Sequence, residues 1–139
     1  RCSLLLASKF CAFSRSSSTF NLPNTSKLLP LHLYVGFRKE TPIVKAFKST
    51  LETSVTDKKI KEFQFAFSRE GNHCYVTQIV QNDAEKIVSL LQNGGVIMIC
   101  GSLAMYKDVI AALEQICKEK TNYNLAHFQA NGQILSDCY

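Results

Sequence analysis

Hydrophobic and polar positions change period along this chain. The stretches "LHLYVGF" (31 to 37), "EFQFAF" (62 to 67) and "VIMIC" (96 to 100) are short and dense in β-branched, aromatic and other apolar residues. That is the composition of buried strands. Between them the apolar positions shift to spacings of three and four, which is the helical period. The first helix is predicted to have Thr41 as its cap and Pro42 at its first position, with Ile43, Phe47 and Leu51 along one face. A second is predicted from Asn82 as cap, with Glu85 three residues later; it carries Ile87, Val88 and Leu91 and stops at Gly94. A third presents Met105, Val109, Leu113 and Ile116 on one stripe, and "QILSDCY" (133 to 139) reads as a last strand.

Strand starts recur at about the length of a βαβ unit, roughly 30 residues. The expected fold class is therefore α/β: a doubly wound, mostly parallel five-stranded sheet with helices on both faces. "SLLLA" (3 to 7) is the candidate for its central strand. In such a sheet ligands bind at the carboxyl ends of the strands. Those ends are Gly36 to Arg38, Ser68 to Glu70, Cys100 to Ser102 and Asp137 to Tyr139, which together offer two guanidinium groups, hydroxyls, a thiol and a carboxylate.

Composition narrows the partners. With 139 residues, 46% hydrophobic and 19% charged, the chain can build one core. A net charge of +5 suits an anionic ligand or an acidic partner, but the lysines are scattered, and Lys58, Lys59 and Lys61 cluster only beside a predicted turn. No nucleic-acid partner is expected. Six cysteines occur without a CxxC pair or a Cys/His ligand spacing, so free thiols in a reducing, cytoplasmic setting are expected, with no metal site. No stretch approaches the roughly 18 to 20 apolar residues of a membrane span.

The first 30 residues stand apart. "RCSLLLASKFCAFSRSSS" is basic, Ser-rich and free of acids, like a leader, and the first acidic residue is Glu40. The chain starts at Arg1 rather than Met and reads as a fragment rather than a processed precursor. No glycine precedes Gly36, although a dinucleotide-binding sheet needs a Gly-rich first turn, because a Cβ there blocks the backbone from the pyrophosphate. Residues 1 to 30 are therefore an atypical segment, either a degenerate first strand and phosphate loop or foreign sequence such as a shifted reading frame produces. Residues 31 to 139 form the domain proper.

In "AFSRE", Ser68 and Arg69 follow a strand directly, and a hydroxyl beside a planar guanidinium suits a phosphate monoester. An ordinary polar turn has the same composition. Tyr75 offers a face on which a purine stacks, or a packing residue.

The landmarks "VGFR" (35 to 38), "AFSRE" (66 to 70), "CYVTQ" (74 to 78), "CGSLAMYKDV" (100 to 109) and "LSDCY" (135 to 139) stand in an order that resembles the C-terminal NADPH-binding domain of the ferredoxin-NADP reductase-like diflavin reductases. That family includes the sulfite reductase flavoprotein and NADPH-haemoprotein reductase. The resemblance covers about residues 31 to 139. It implies that Ser68 and Arg69 hold the 2'-phosphate of NADPH and that Tyr75 contacts the adenosine end. Cys74 stands where the family has a lysine, and a family glutamine falls at Thr77 or Gln78. Asp108 of the "KDV" element takes a cofactor contact, and Gly101 keeps the backbone clear for it. The resemblance further implies that Cys100 and Asp137 lie near the nicotinamide and assist hydride transfer, while Tyr139 covers the flavin ring until nicotinamide displaces it.

Two features depart from the family. Its "GTGIAPF"-like loop belongs near residues 8 to 14, where this chain has "SKFCAFS". The FAD-binding barrel and any FMN domain that precede this segment in the family are not among these residues. The resemblance thus implies NADPH and FAD as cofactors, FMN in a fuller protein, and as partners an FAD-binding domain and a flavodoxin-like or metalloprotein electron acceptor. A non-catalytic remnant or interaction module of the same fold is the alternative.

Overall fold

The computed structural model describes the backbone of residues 3–7 and residues 31–139. The molecule is mixed α/β and contains two parallel strand pairs. One joins β2 (Leu31–Phe37) to β3 (Glu62–Phe67), and the other joins β4 (Val96–Gly101) to β5 (Ile134–Cys138). The backbone of β1 (Ser3–Ala7) pairs in parallel with Leu31 to Val35 on one side and Val96 to Cys100 on the other, giving the order β3-β2-β1-β4-β5. The leader-like stretch beyond Ala7 and the expected place of the glycine loop, residues 8 to 14, lie outside the described residues.

Alternation along the strands sends successive side chains to opposite faces. Leu33 and Val35 face α1 (Pro42–Thr56), where they pack with Leu51, Phe37, Phe47, Phe63 and Phe65. The rings of Phe37 and Phe65 meet edge to face at 5.1 Å between centroids, a favoured aromatic geometry. Tyr34, Ala66, Ile97 and Ile99 face the other way. There they pack with α2 (Val76–Asn82), α3 (Ala84–Gln92), α4 (Leu103–Lys120) and α5 (Leu125–Ala130) in the larger core.

The α4 stripe holds as expected, with Val109, Leu113 and Ile116 buried. Thr41 caps α1, its Oγ1 accepting from the Val44 N–H at 3.3 Å, with Pro42 following. The buried stripe of α1, however, begins at Val44 rather than Ile43, which is 68% exposed. Asn82 is not a cap. It ends α2, and the chain breaks at Asp83 before α3 begins. The sequence also missed α2 and α5 as elements. The second helix does stop at Gly94, whose φ of 79° suits a residue without Cβ. "QILSDCY" narrows to Ile134–Cys138, because Gln133 is buried and donates from Nε2 to the carbonyls of Leu91 and Gly95, each at 2.8 Å.

The break at Asp83 has a cause in the sheet. Tyr34 is fully buried and its hydroxyl donates to Asp83 Oδ2, which also accepts from Gln64 Nε2 at 2.6 Å. Lys86 joins Asp83, at 3.5 Å, to Glu62, at 2.6 Å, and Glu62 also bonds His32 at 2.8 Å. This network lies toward the amino ends of β2 and β3, where His32 stands opposite Glu62 and Tyr34 opposite Gln64.

Burial alone would raise the carboxyl pKa of Asp83, but the hydrogen bonds from Tyr34 and Gln64 and the charge of Lys86 outweigh it, and the net shift is downward. Glu62 is likewise lowered, its burial outweighed by Lys86 and His32. Lys86 is raised, chiefly by its bond to Glu62. A carboxyl with a depressed folded-state pKa stabilises the fold above its ordinary range and loses that contribution as pH falls through the folded value. A raised lysine loses its contribution only in strong base. Thermal unfolding of the wild type and of Asp83→Asn should therefore differ most at pH 7, and the gap should narrow toward pH 3. A gap that stays constant across that range would show that the Asp83 charge does not stabilise the fold.

Candidate functional site

The carboxyl ends of β2 and β3 continue to pair beyond the strands. Ser68 N–H donates to the Phe37 carbonyl and Arg69 N–H to the Arg38 carbonyl, both at 2.9 Å. The two turns that follow are clasped together, since the Glu40 N–H donates to Glu70 Oε2 at 2.6 Å. The turn after β3 is wound by two left-handed residues, Gly71 (φ 56°) and His73 (φ 48°). It is closed by the bond of His73 Nδ1 to the Ser68 carbonyl at 3.1 Å.

Helix α2 then starts at Tyr75, an unusual N-cap, because Ser, Thr, Asp and Asn are the residues whose side chains cap well. Gln78 compensates by accepting from the Tyr75 N–H through Oε1 at 2.7 Å, while the Tyr75 ring stays 59% exposed. The start of α2 lies close against β2. A Cβ built on Gly36 would stand 2.9 Å from Val76 Cγ2, so only glycine allows this approach without displacement.

Above these strand ends opens a cavity of about 810 Å³, within the range of small-molecule sites. Ser68, Arg69, Cys74, Tyr75, Thr77 and Asp108 all line it. Six of the residues singled out in the sequence, drawn from the β3 turn, α2 and α4, thus converge on one space. Asp108 arrives there because Ser102 caps α4, accepting from the Met105 N–H at 3.2 Å, and so starts the helix directly after β4. Gln78 is occupied with its cap and does not line the cavity, so of the two positions for the family's glutamine it is Thr77 that does.

Cys100, Gly101, Asp137 and Tyr139 form a second group outside that lining. Cys100 stands opposite Asp137 in the β4–β5 register. Gly101 has φ 141°, a backbone that side chains rarely allow. The Tyr139 N–H donates to the Gly101 carbonyl at 3.0 Å, and the Leu103 N–H donates to the Tyr139 carbonyl at 3.2 Å. The backbone of Tyr139 is therefore held, and only its ring, 67% exposed, is free to turn. The expected single crevice of four strand ends is in fact three, from β2, β3 and β4, with the β5 end alongside.

Arg38 was visible as a strand-end guanidinium. Lys39, Thr41, Ile43 and Met105 also line the cavity and were missed. For Lys39 the signal was present in "FRKE", a second cation straight after a strand.

Cys100 is buried, and burial, then the neighbouring charge of Asp137, pushes its thiol pKa up. It therefore stays an S–H group at neutral pH, a polarisable neighbour rather than a nucleophile. Cys74, Cys100, Cys117 and Cys138 are all free thiols, and the described residues hold no cluster suited to a metal ion. No helix among the described residues is long and apolar enough to cross a membrane. No family model and no curated protein matches the chain.

Alkylation with iodoacetamide at pH 8, followed by peptide mass spectrometry, should label Cys74 well before the buried Cys100 and Cys117, with the difference vanishing in denaturant. Equal rates in the folded protein would contradict the burial of Cys100.

Proposed function

We propose that this chain is the NADPH-binding part of a flavoprotein reductase similar to the sulfite reductase flavoprotein and NADPH-haemoprotein reductase. The observation that carries the reading is the convergence of Ser68, Arg69, Tyr75, Thr77 and Asp108 on one cavity, from three separate segments of the chain. Each residue alone fits an ordinary turn or helix face; their meeting at the carboxyl ends of parallel strands favours a ligand. The two strand pairs, joined at Ser3–Ala7, are on this reading the halves of one doubly wound sheet.

The residues fit the adenosine end of the cofactor. Ser68 and the forked guanidinium of Arg69 suit a phosphate monoester, which the Arg69 charge would hold by charge-assisted bonds. The exposed ring of Tyr75 suits a stacked purine. The start of α4 directs its positive dipole end toward the same region, which favours anionic ligands.

The second group fits the reacting end. Bound there, NADPH would supply a hydride to FAD held by a domain outside these residues. Here the work of this chain is to orient and shield. Cys100, held as a thiol, offers a soft contact, and Asp137 beside it offers a carboxylate that favours developing positive charge. The exposed Tyr139 ring suits a cover for a flat partner that moves aside while its backbone stays anchored to Gly101 and Leu103. On this reading the partners are an FAD-binding domain and, beyond it, a flavodoxin-like or metalloprotein acceptor that takes electrons directly or by way of FMN, in the cytoplasm.

Retention on immobilised 2',5'-ADP, with release by NADPH and not by NADH, is the expected outcome. A folded protein that flows straight through would defeat the NADPH assignment in favour of a non-binding module. Arg69→Ala should weaken NADPH by about 1.5 to 3 kcal/mol, the worth of a hydrogen bond to a charged group, and leave NADH nearly as before. Equal losses for both, measured by calorimetric titration, would remove Arg69 from the 2'-phosphate site.

A further inference from the structure

Resting on the NADPH reading, we propose that Lys39 is a second phosphate-holding cation of the cavity, set beside Arg69 by the Glu40–Glu70 clasp, and that it sets the preference for the phosphorylated cofactor.

The charge balance of the cavity is uneven. Arg38, Lys39 and Arg69 all line it, against the single acid Asp108. None of the three cations takes part in an ion pair among the described residues, whose ion pairs involve His32, Lys86 and Lys120. Like charges gathered on one concave surface repel one another, and an anion placed between them relieves that repulsion.

The clasp singles out Lys39. It joins Glu40, which follows Lys39, to Glu70, which follows Arg69, so the two cations precede the two ends of one hydrogen bond. That bond brings the β2 turn up to the β3 turn at the point where Arg69 faces the cavity. It also commits an oxygen of Glu70, the acid nearest Arg69 in sequence, to the backbone of the facing turn. Cys74, which also lines the cavity, is no cation; its Sγ lies 3.6 Å from the Tyr75 carbonyl. A phosphate dianion held by Ser68 and Arg69 alone would keep part of its charge uncompensated. Lys39, a compact ammonium on a flexible stem, suits that remaining charge as a point contact, where Arg69 supplies the planar one.

The test is the ratio of NADPH to NADH affinity, measured by calorimetric titration of the whole chain for the wild type, Lys39→Gln, Lys39→Arg and Arg69→Ala. Lys39 is exposed, so the variants should fold, which matching thermal unfolding curves would verify. Lys39→Gln should lower the ratio by about tenfold, the effect of one charge-assisted contact, and Lys39→Arg should keep most of it. Adding Cys74→Lys to Lys39→Gln should restore part of the ratio, because a cation returns to the cavity lining. A ratio unchanged in Lys39→Gln while Arg69→Ala collapses it would overturn the role of Lys39 and leave the NADPH reading intact. A wild-type chain that binds neither cofactor would overturn both.

Discussion

The fully buried hydroxyl of Tyr34 sets the geometry on which the site depends. A buried hydroxyl without a partner destabilises a core by roughly 1 to 3 kcal/mol, and Tyr34 meets that demand with the carboxylate of Asp83. Asp83 stands at the break between Asn82 and Ala84 and presents that carboxylate to β2 and β3. Gln64 and Lys86 complete the acceptor. The lower end of α2 is thereby fixed against the sheet, and the absence of a side chain at Gly36 lets its upper end close on β2 at Val76. With both ends set, Tyr75 and Thr77 have one place to go, the mouth of the cavity. A polar network at the amino ends of the strands thus bears on which residues line the cavity at their carboxyl ends.

The two strand pairs take different tasks. The β2–β3 pair carries hydrophilic turns that extend the ladder by two hydrogen bonds and then clasp one another, so the cations of those turns sit on a stiff base. The β4–β5 pair carries a thiol and a carboxylate opposite one another, followed by a terminal residue bonded on both sides of its peptide. The first arrangement fixes cations at the rim, and the second leaves the Tyr139 side chain exposed on an anchored backbone.

Much of this was legible in the chain, for identifiable reasons. β2, β3 and β4 are visible because each is a short apolar run bounded by polar turns, and the α4 stripe because Val109, Leu113 and Ile116 keep helical spacing over a long element. The start of α1 is visible through Thr41 and Pro42. The break at Asp83 was not, since local pattern continues through it, Asn82 looks like a cap, and the cause is a hydroxyl 49 residues away. Ile43 misled for a related reason: it keeps helical spacing with Phe47, but its position belongs to the cavity rim. Among the candidate site residues, those just after strands were found from position alone. Lys39 stood in plain view in "FRKE", but the clasp between Glu40 and Glu70 that sets its turn against the Arg69 turn spans 30 residues and has no local signal. Gln78, read as one of two positions for a cofactor contact, spends its side chain on the backbone of Tyr75, a capping role that its place in the sequence did not announce.

Helix α4 links the two groups of residues mechanically. It begins immediately after Gly101, where the peptide of Tyr139 meets its first turn, and Met105 and Asp108 reach the cavity that Arg69 and Tyr75 line from the other side. Farther along, its Val109 and Leu113 are buried in the same core as Val76, Ile79 and Val80 of α2. A displacement of α2 is therefore resisted by α4, and through α4 by the ends of β4 and β5. Interiors packed at this density deform little, so the span from Ser68 and Arg69 to Cys100 and Asp137 is held nearly constant. On the NADPH proposal, a fixed span suits a long ligand whose phosphate meets Arg69 and whose nicotinamide meets Cys100, and a dinucleotide has that form.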